Sequence, residues 1–477
     1  MNNKFYITSS IPYVNAKPHI GFAYEIVQTD TIARYHRLLN DDTYFLTGTD
    51  ENALKNVQSA TDAGKDPKQF VDELAVVFEQ LKHSLNLSFD QFIRTTSPKH
   101  FSGAQKLWTL FKKDDIYKKS YKGLYCVGCE QFLEKEELVD GLCPIHLKPP
   151  QEVEEENYFF KLSAYQNQIE DLISSNKLKI VPEIRKNEVL SFVKSGLKDI
   201  SISRTIERAK GWGVPVPGDP SQIQYVWVDA LSNYITALDF DAEGELYQKY
   251  WLDNPNRVHV IGKDIVRFHA VYWPAFLLSA NIPLPKTIYV HGFITTKGQK
   301  ISKSLGNVLD PFEQVEKFGT DAVRYFLLRE IPSYGDGDYT EERFKEVYNA
   351  DLANGLGNLI SRVAKLAETL GAKTSELVIE RDNDLKNGVE LQLENFRFDL
   401  GLEFIWGTIA GLDKYLEKER PWVSLLEKVV VIKEAVTRVR EIAEVLQPFL
   451  PNTSKIIYDQ FNAERITSSG PLFPRLA

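Results

Sequence analysis

The chain has 477 residues, too many for one hydrophobic core, and at roughly 100–200 residues per domain about three domains are expected. Its 43% hydrophobic and 12% aromatic content excludes disorder for most of its length. With 57 basic and 66 acidic residues the net charge is −9, which excludes a surface coated in basic side chains while leaving room for a local basic groove.

The N-terminus, MNNKFYITSS, has no apolar core segment or cleavage site, and no stretch approaches the ~20 apolar residues of a membrane span. A cytoplasmic protein without a membrane partner is expected. A short apolar strand over 5–8 leads into a polar turn with Pro12 and Pro18, then a helix over about 20–39. Here Ile11-Pro12-Tyr13 and His19-Ile20-Gly21 sit at a strand-to-helix junction. Free N–H groups at a helix start attract phosphate, and Gly21 permits close approach of a ligand. By itself the tripeptide is equally an ordinary turn. A second strand over 44–46 ends at Gly48-Thr49-Asp50. The next helix starts at Asp66 as N-cap, with Pro67 first and Gln69 closing a capping box.

Between about 118 and 224 the chain is rich in glycine, charge and turns, carries the acidic run 152–156, and holds all three cysteines. This stretch reads as an inserted domain. Cys126-Val-Gly-Cys129 and, thirteen residues on, Cys143-Pro-Ile-His146 form two knuckles with four zinc-type ligands. Four protein ligands close the coordination sphere, so the metal is expected to be structural. The alternative is three buried cysteines without a metal.

The α/β pattern resumes with a buried strand over 257–261 ending at Gly262, a helix to about 280 and a strand over 287–291. Gly262-Lys-Asp264 and His269 follow a strand end, the edge where open α/β sheets bind ligands, although Asp264 suits a helix cap equally well. Lys300-Ile-Ser-Lys303-Ser-Leu-Gly-Asn307 forms a cationic loop suited to polyphosphate, or simply a solvated basic loop. From about 341 onward strand signals nearly vanish, and helical periods over 351–370, 387–418 and 425–446 predict a bundle.

Taken together, these motifs resemble the class I aminoacyl-tRNA synthetases, with His19-Ile-Gly early and KISKS late in the α/β part. The resemblance narrows to the methionyl-tRNA synthetase family through Ile11-Pro-Tyr-Val-Asn-Ala-Lys-Pro-His-Ile-Gly21, Gly48-Thr-Asp-Glu51, Tyr225-Val-Trp-Val-Asp-Ala230, Ile261-Gly-Lys-Asp-Ile-Val266 and Trp273-Pro. It implies a Rossmann-type parallel-sheet catalytic domain (1–117 and 225–340, the second part including the KISKS loop and a stem-contact region). A connective insert with the zinc knuckle (118–224) interrupts it, and a helical anticodon-binding domain (341–477) follows.

The resemblance also implies ATP-dependent activation of L-methionine and its transfer to tRNA(Met), initiator tRNA included, with Mg2+ accompanying ATP and one structural Zn2+ per chain. His19 and Gly21 would face the triphosphate, Lys300 and Lys303 would neutralise pyrophosphate, and Gly262 and Asp264 would lie against adenosine. Methionine would be met by Ile11, Tyr13, Asp50, Trp227, Ala230, Leu231, Tyr234, Ile265, Phe268, His269 and Trp273. Asp50 pairs with the α-ammonium, and the aromatic set packs the thioether. Tyr13 and His269 would hold the sulfur from its polar side. Asn358, Arg362 and Trp422 match residues that read unpaired anticodon bases by hydrogen bonding and stacking. The bundle does not announce this by charge, since 341–477 has more acidic than basic residues.

Two positions depart from the family pattern. Phe22 stands where the first signature usually closes with a second histidine, and Asn52-Ala53 where His-Gly is usual. Ile301 in place of methionine is a milder change. Phe22 has no hydrogen-bond donor, so the Asn52 amide is expected to take over stabilisation of charge on the α-phosphate. A monomer is expected, because no C-terminal dimerising domain follows the bundle. Two rivals remain at this point: a class I enzyme for another amino acid, and a paralogue that binds tRNA or nucleotide without catalysis. The insert is far smaller than the editing domain of the branched-chain enzymes, and a closed four-ligand zinc leaves no open position for a cysteine substrate.

Overall fold

The strand Lys4–Ser9 runs Phe5, Tyr6, Ile7, Thr8 and Ser9 in succession, all buried, so both faces are covered as a central parallel strand requires. Around it a six-stranded sheet is ordered Gln91–Arg94, Asp42–Thr49, Lys4–Ser9, Arg257–Gly262, Thr287–His291, Lys179–Val181. The pairs Lys4–Ser9 with Asp42–Thr49, Lys4–Ser9 with Arg257–Gly262, Asp42–Thr49 with Gln91–Arg94, and Thr287–His291 with Lys179–Val181 are all parallel. Strand order therefore reverses between Lys4–Ser9 and Arg257–Gly262. At such a switch point the connections leave in opposite directions and a crevice opens beyond the C-terminal strand ends. The structure, a computed structural model, describes residues 3–128, 131–145, 147–300, 308–379 and 383–477.

Two compact units are present, and they do not follow simple chain order. One contains the sheet and comprises Met1–Pro18, Asn40–Gln80 and Phe89–Val290. In it the stretch read as turn-rich holds several strands and the two helices Gln166–Ser174 and Glu183–Lys194. Ile116–Cys126 pairs antiparallel with Gln151–Phe160 in a four-stranded sheet. The register sets Lys122 opposite Glu154 and Ser120 opposite Glu156, so the acidic run is one strand of a ribbon beside a lysine-rich partner. Lys179–Val181, also from this stretch, is the edge strand of the main parallel sheet.

The other unit comprises His19–Leu39, Leu81–Ser88 and His291–Ala477. It groups the early helix Ile20–Leu38 with the C-terminal helices, and a buried ion cluster explains why. Asp30 accepts from Arg34 Nε (2.7 Å), from Ser88 N (2.6 Å) and from Ser88 Oγ (2.7 Å). It also pairs with Arg324 at 2.8 Å, both side chains being fully buried. Arg324 donates further to the carbonyls of Leu85, Pro448 and Phe449, so each of its three nitrogens is bonded. Burial pushes the Asp30 carboxyl up, but Arg324 and Arg34 outweigh it and hold it below the ordinary carboxylate range.

The bundle helices are Asn358–Leu370, Asp384–Glu394, Phe398–Glu419, Val429–Leu446 and Pro451–Asn462. The single helix predicted over 387–418 is thus interrupted. Phe396 takes a left-handed φ of 54° while its ring is buried, so a tight turn replaces continuous helix there. The Asp66 cap accepts from the N–H groups of Lys68 and Gln69 as expected. Gln69, however, donates to Glu73 (3.0 Å), with no reciprocal bond to Asp66.

Breaking one side of a buried ion pair costs about 3–5 kcal/mol because a charge is left uncompensated. Asp30→Asn should therefore lower stability by about that amount in urea unfolding at neutral pH. A folded-state pKa below the unfolded value gives stability that is present above the unfolded carboxyl pKa and lost as pH falls. The gap between wild type and variant should accordingly shrink on acidification. A loss under about 1 kcal/mol would mean that the cluster does not hold this helix.

Candidate active site

The C-terminal ends of the switch-point strands deliver the site. Ile11 and Tyr13 follow Lys4–Ser9, Asp50 directly follows Asp42–Thr49, and Gly262 closes Arg257–Gly262. A bridge joins Tyr13 to Asp50, with Asp50 N donating to Pro12 O at 2.9 Å. Asp50 is buried, and the Asn52 backbone N–H donates to its Oδ1 at 3.2 Å. Next to it the Glu51 carboxylate takes both Nε (2.7 Å) and Nη2 (3.0 Å) of Arg94, fixing the turn.

The helix Val226–Thr236 is wholly buried. Trp227, Ala230, Leu231 and Tyr234 are spaced i, i+3, i+4 and i+7, one helical face. Trp227 stacks on Phe268 with ring centroids 3.7 Å apart and planes 7° from parallel. Tyr13 and His269 meet Trp227 edge-on, at 6.5 and 6.2 Å. Lys55 Nζ lies 3.4 Å from the Tyr13 ring centroid. Trp273 lies 6.2 Å from Tyr234, and Ile265 packs against the same core. The structure thus brings the predicted methionine set together in the sheet-containing unit.

Hydrogen bonding fixes the polar end. His269 Nδ1 faces the Ile265 carbonyl at 3.0 Å, so it carries the ring proton. The neutral Nε2 then accepts from the Tyr234 hydroxyl at 2.7 Å. Tyr234 is held in turn by Tyr6, whose hydroxyl donates to the Tyr234 carbonyl at 2.7 Å. Beneath Tyr234 stacks His259, fully buried and 4.1 Å away, a residue that the sequence reading missed. Burial pushes its pKa far down, with His269 and Arg257 adding to the effect, so it is a neutral ring on the floor of an apolar cluster. Its signal in the sequence was a lone polar residue inside the apolar run Arg-Val-His-Val-Ile.

Two expectations are corrected. The helix Ile20–Leu38 does not present free N–H groups at its start. Gly21 N donates to His19 Nδ1 (3.0 Å), Ile20 N to Leu309 O (3.0 Å), and Phe22 N and Ala23 N to His19 O. His19 is its own helix's cap, and because Nδ1 accepts, the proton of the neutral ring sits on Nε2. Nor does Asn52 hold a spare donor. Its Nδ2 donates to Thr95 O (3.0 Å) and Asp229 Oδ2 (2.8 Å), which uses both hydrogens inside the protein. Phe22 itself is buried.

Asp264 is exposed and makes no hydrogen bond among the described residues, so it does not serve as the cap of its helix. Lys300 ends a short strand paired with Thr295; its side chain and Lys303 lie outside the described residues. Cys126 and Cys143 are buried in one small cluster with Leu133, whereas Cys129 and His146 lie outside the described residues. Among the described residues no group of three or more His, Cys, Asp or Glu side chains is placed to hold a metal ion. In the helical unit Arg362 sits 5.3 Å from the Trp422 ring centroid and is aimed by Asp413 and by Glu417 (2.7 Å). Asn358, one turn before Arg362, is exposed, and Trp422 keeps 46% of its surface open.

The family described as tRNA synthetases class I (M) matches residues 5–153 and 137–364. The chain is 43% identical to a methionine–tRNA ligase of Brucella suis, over 96% of this chain and 91% of the relative. It is 40% identical to the one of Thermotoga maritima, over 97% and 76% respectively. Among solved structures, Mycobacterium tuberculosis methionyl-tRNA synthetase in complex with methionyl-adenylate superposes with a TM-score of 0.92 at 38% identity, covering 99% of this chain and 100% of that one. Together with the switch-point site, these similarities place the chain in the methionyl-tRNA synthetases, within the class I aminoacyl-tRNA synthetases.

Proposed function

We infer that this protein is a methionine–tRNA ligase, acting in the cytoplasm on ATP, L-methionine and tRNA(Met), initiator tRNA included. Among the described residues no helix is long and apolar enough to cross a membrane. The observation that carries the reading is the aromatic pocket around Trp227, Phe268 and Trp273, set beside the Asp50 carboxylate at the sheet's switch point. In this reading Asp50 accepts from the α-ammonium of methionine. Ile11, Ala230, Leu231 and Ile265 pack its apolar stem among the rings. The thioether is well matched to ring edges, and Tyr13, with the Tyr234–His269 pair, closes the polar side of the pocket.

The substrate carboxylate is already ionised, so its attack on the α-phosphate needs alignment and charge stabilisation and no general base. An oxygen–phosphorus bond forms and pyrophosphate leaves. The 3′-terminal ribose hydroxyl of tRNA then attacks the carbonyl of the mixed anhydride, and AMP leaves. In this reading His19 and Gly21 meet the triphosphate, the His19 ring being held at Nδ1 by Gly21 N. Lys300 and Lys303 neutralise the leaving pyrophosphate, and Gly262 and Asp264 meet the adenosine. Mg2+ bound with ATP supplies further positive charge to the phosphates. Cys126, Cys129, Cys143 and His146 hold a structural zinc, supported by their spacing and by the shared burial of Cys126 and Cys143. Asn358, Arg362 and Trp422 meet the anticodon. Trp422 is partly exposed, and its neighbours Val423 and Leu426 are 75% and 84% exposed.

Pyrophosphate exchange into ATP, run with each amino acid in turn, tests the assignment. Methionine should support it, and faster exchange with leucine, isoleucine, valine or cysteine would contradict it. Trp227→Ala should raise the methionine KM by about tenfold or more, roughly 1.4 kcal/mol of lost binding.

Metal analysis should give one zinc per chain in protein prepared without chelators. Cys126→Ser should lose the metal and become sensitive to proteolysis within 118–224, because zinc binding and local folding are coupled. Full zinc retention in that variant would count against the site.

Trp422→Ala should impair aminoacylation by about tenfold or more, one lost base stack, while leaving tRNA-free exchange nearly intact. Equal loss in both assays would make Trp422 a packing residue.

A further inference from the structure

Both hydrogens of the Asn52 amide are used inside the protein, while its buried Oδ1 has no hydrogen-bond partner among the described residues. Asn52 Nδ2 reaches Asp229 Oδ2 at 2.8 Å, and the other oxygen of that carboxylate takes His100 Nε2 at 2.5 Å. The second ring nitrogen of His100 is bonded to the Thr236 hydroxyl at 2.8 Å. Asn52, Asp229, His100 and Thr236 are 6%, 1%, 0% and 0% exposed, so the network is shielded from solvent along its length. Asp229 and Thr236 lie two turns apart on Val226–Thr236, and His100 touches both. Gly103, on the same helix as His100, lets the two helices close up: a Cβ there would come within 2.5 Å of Thr236 Cγ2.

We propose that Asn52, Asp229 and His100 are positioning residues, a buried latch that holds the Asp50 carboxylate in register with the Trp227 wall of the methionine pocket. Asn52 belongs to both ends of the link. Its backbone N–H orients Asp50 Oδ1, and its side chain grips Asp229, two residues from Trp227 and adjacent to Ala230. Glu51 anchors the same turn to Arg94. Of these two adjacent side chains, only Asn52 bonds to the helix that carries the wall. The Asp229 carboxylate receives one charge-assisted bond on each oxygen, which makes the latch stiff and directional. A ligand gripped at its ammonium by one element and at its side chain by another is sensitive to their relative placement, and a shift of about 1 Å can cost a hundredfold.

The proposal rests on the reading of the site as a methionine pocket, and its test separates the two. Asn52→Ala and Asp229→Asn are measured by pyrophosphate exchange, normalised by active-site titration so that unfolded enzyme does not count. Both variants should raise the methionine KM by about tenfold, with kcat and the ATP KM within about twofold of wild type. Inhibition by methioninol, which keeps the amine, is compared with inhibition by 4-(methylthio)butan-1-ol, which lacks it. The wild-type preference for the amine-bearing inhibitor should fall by about tenfold in the variants, a change that general loosening of the fold does not produce. If Asp229→Asn does not fold, Asn52→Ala, which removes a single side chain, decides the matter. An unchanged preference, or a lower kcat at unchanged methionine KM, overturns the latch while leaving the methionine reading intact. Wild-type enzyme inactive with methionine overturns both.

Discussion

Everything in the site depends on where the helix Val226–Thr236 is held. Its whole surface is buried, one face presenting Trp227, Ala230, Leu231 and Tyr234, the other pinned by polar contacts to His100. An apolar face against stacked rings can slide at little cost, because dispersion contacts are individually weak and non-directional. Hydrogen bonds to a buried carboxylate cannot slide, since leaving one unmade costs about 1–3 kcal/mol or more for a charged group. The stacking supplies the substance of the pocket, and the polar face supplies its register.

The same division recurs in the helical unit. Long apolar faces build the bundle, but a single buried cluster, Asp30 with Arg34 and Arg324, ties the early helix to it. That helix is capped by His19, whose Nδ1 accepts from Gly21 N and so fixes the ring against the first turn. In both units a buried carboxylate bonded on both oxygens, Asp30 in one and Asp229 in the other, fixes an element that carries candidate site residues. Burial of such groups is expensive, and full satisfaction is what makes them specific.

Much of this was legible beforehand. The apolar strands 5–8, 257–261 and 287–291 read directly as parallel core, and the motifs at their C-terminal ends mark the crevice. Periodicity could not show that Lys179–Val181, inside the inserted stretch, pairs at the edge of the main sheet, since three residues carry no period. It could not show the turn at Phe396 either, because a buried aromatic in a left-handed turn looks like any helical core residue. The role assigned to Asn52 failed for another reason. The local motif showed an amide near a phosphate signature, whereas its partner Asp229 lies 177 residues away. Long-range polar pairing has no sequence period, so nothing in the residues around Asp229 or His100 tied either of them to Asn52.

The most direct test of this account is a crystal structure of the protein with a non-hydrolysable methionyl-adenylate analogue. The account predicts the α-ammonium within hydrogen-bond reach of Asp50, the thioether between Trp227 and Trp273 beside the Tyr234–His269 pair, and the Asn52–Asp229–His100 bonds intact. An amino-acid moiety bound away from Asp50, or a bound state in which Asn52 leaves Asp229 to contact phosphate, would contradict it.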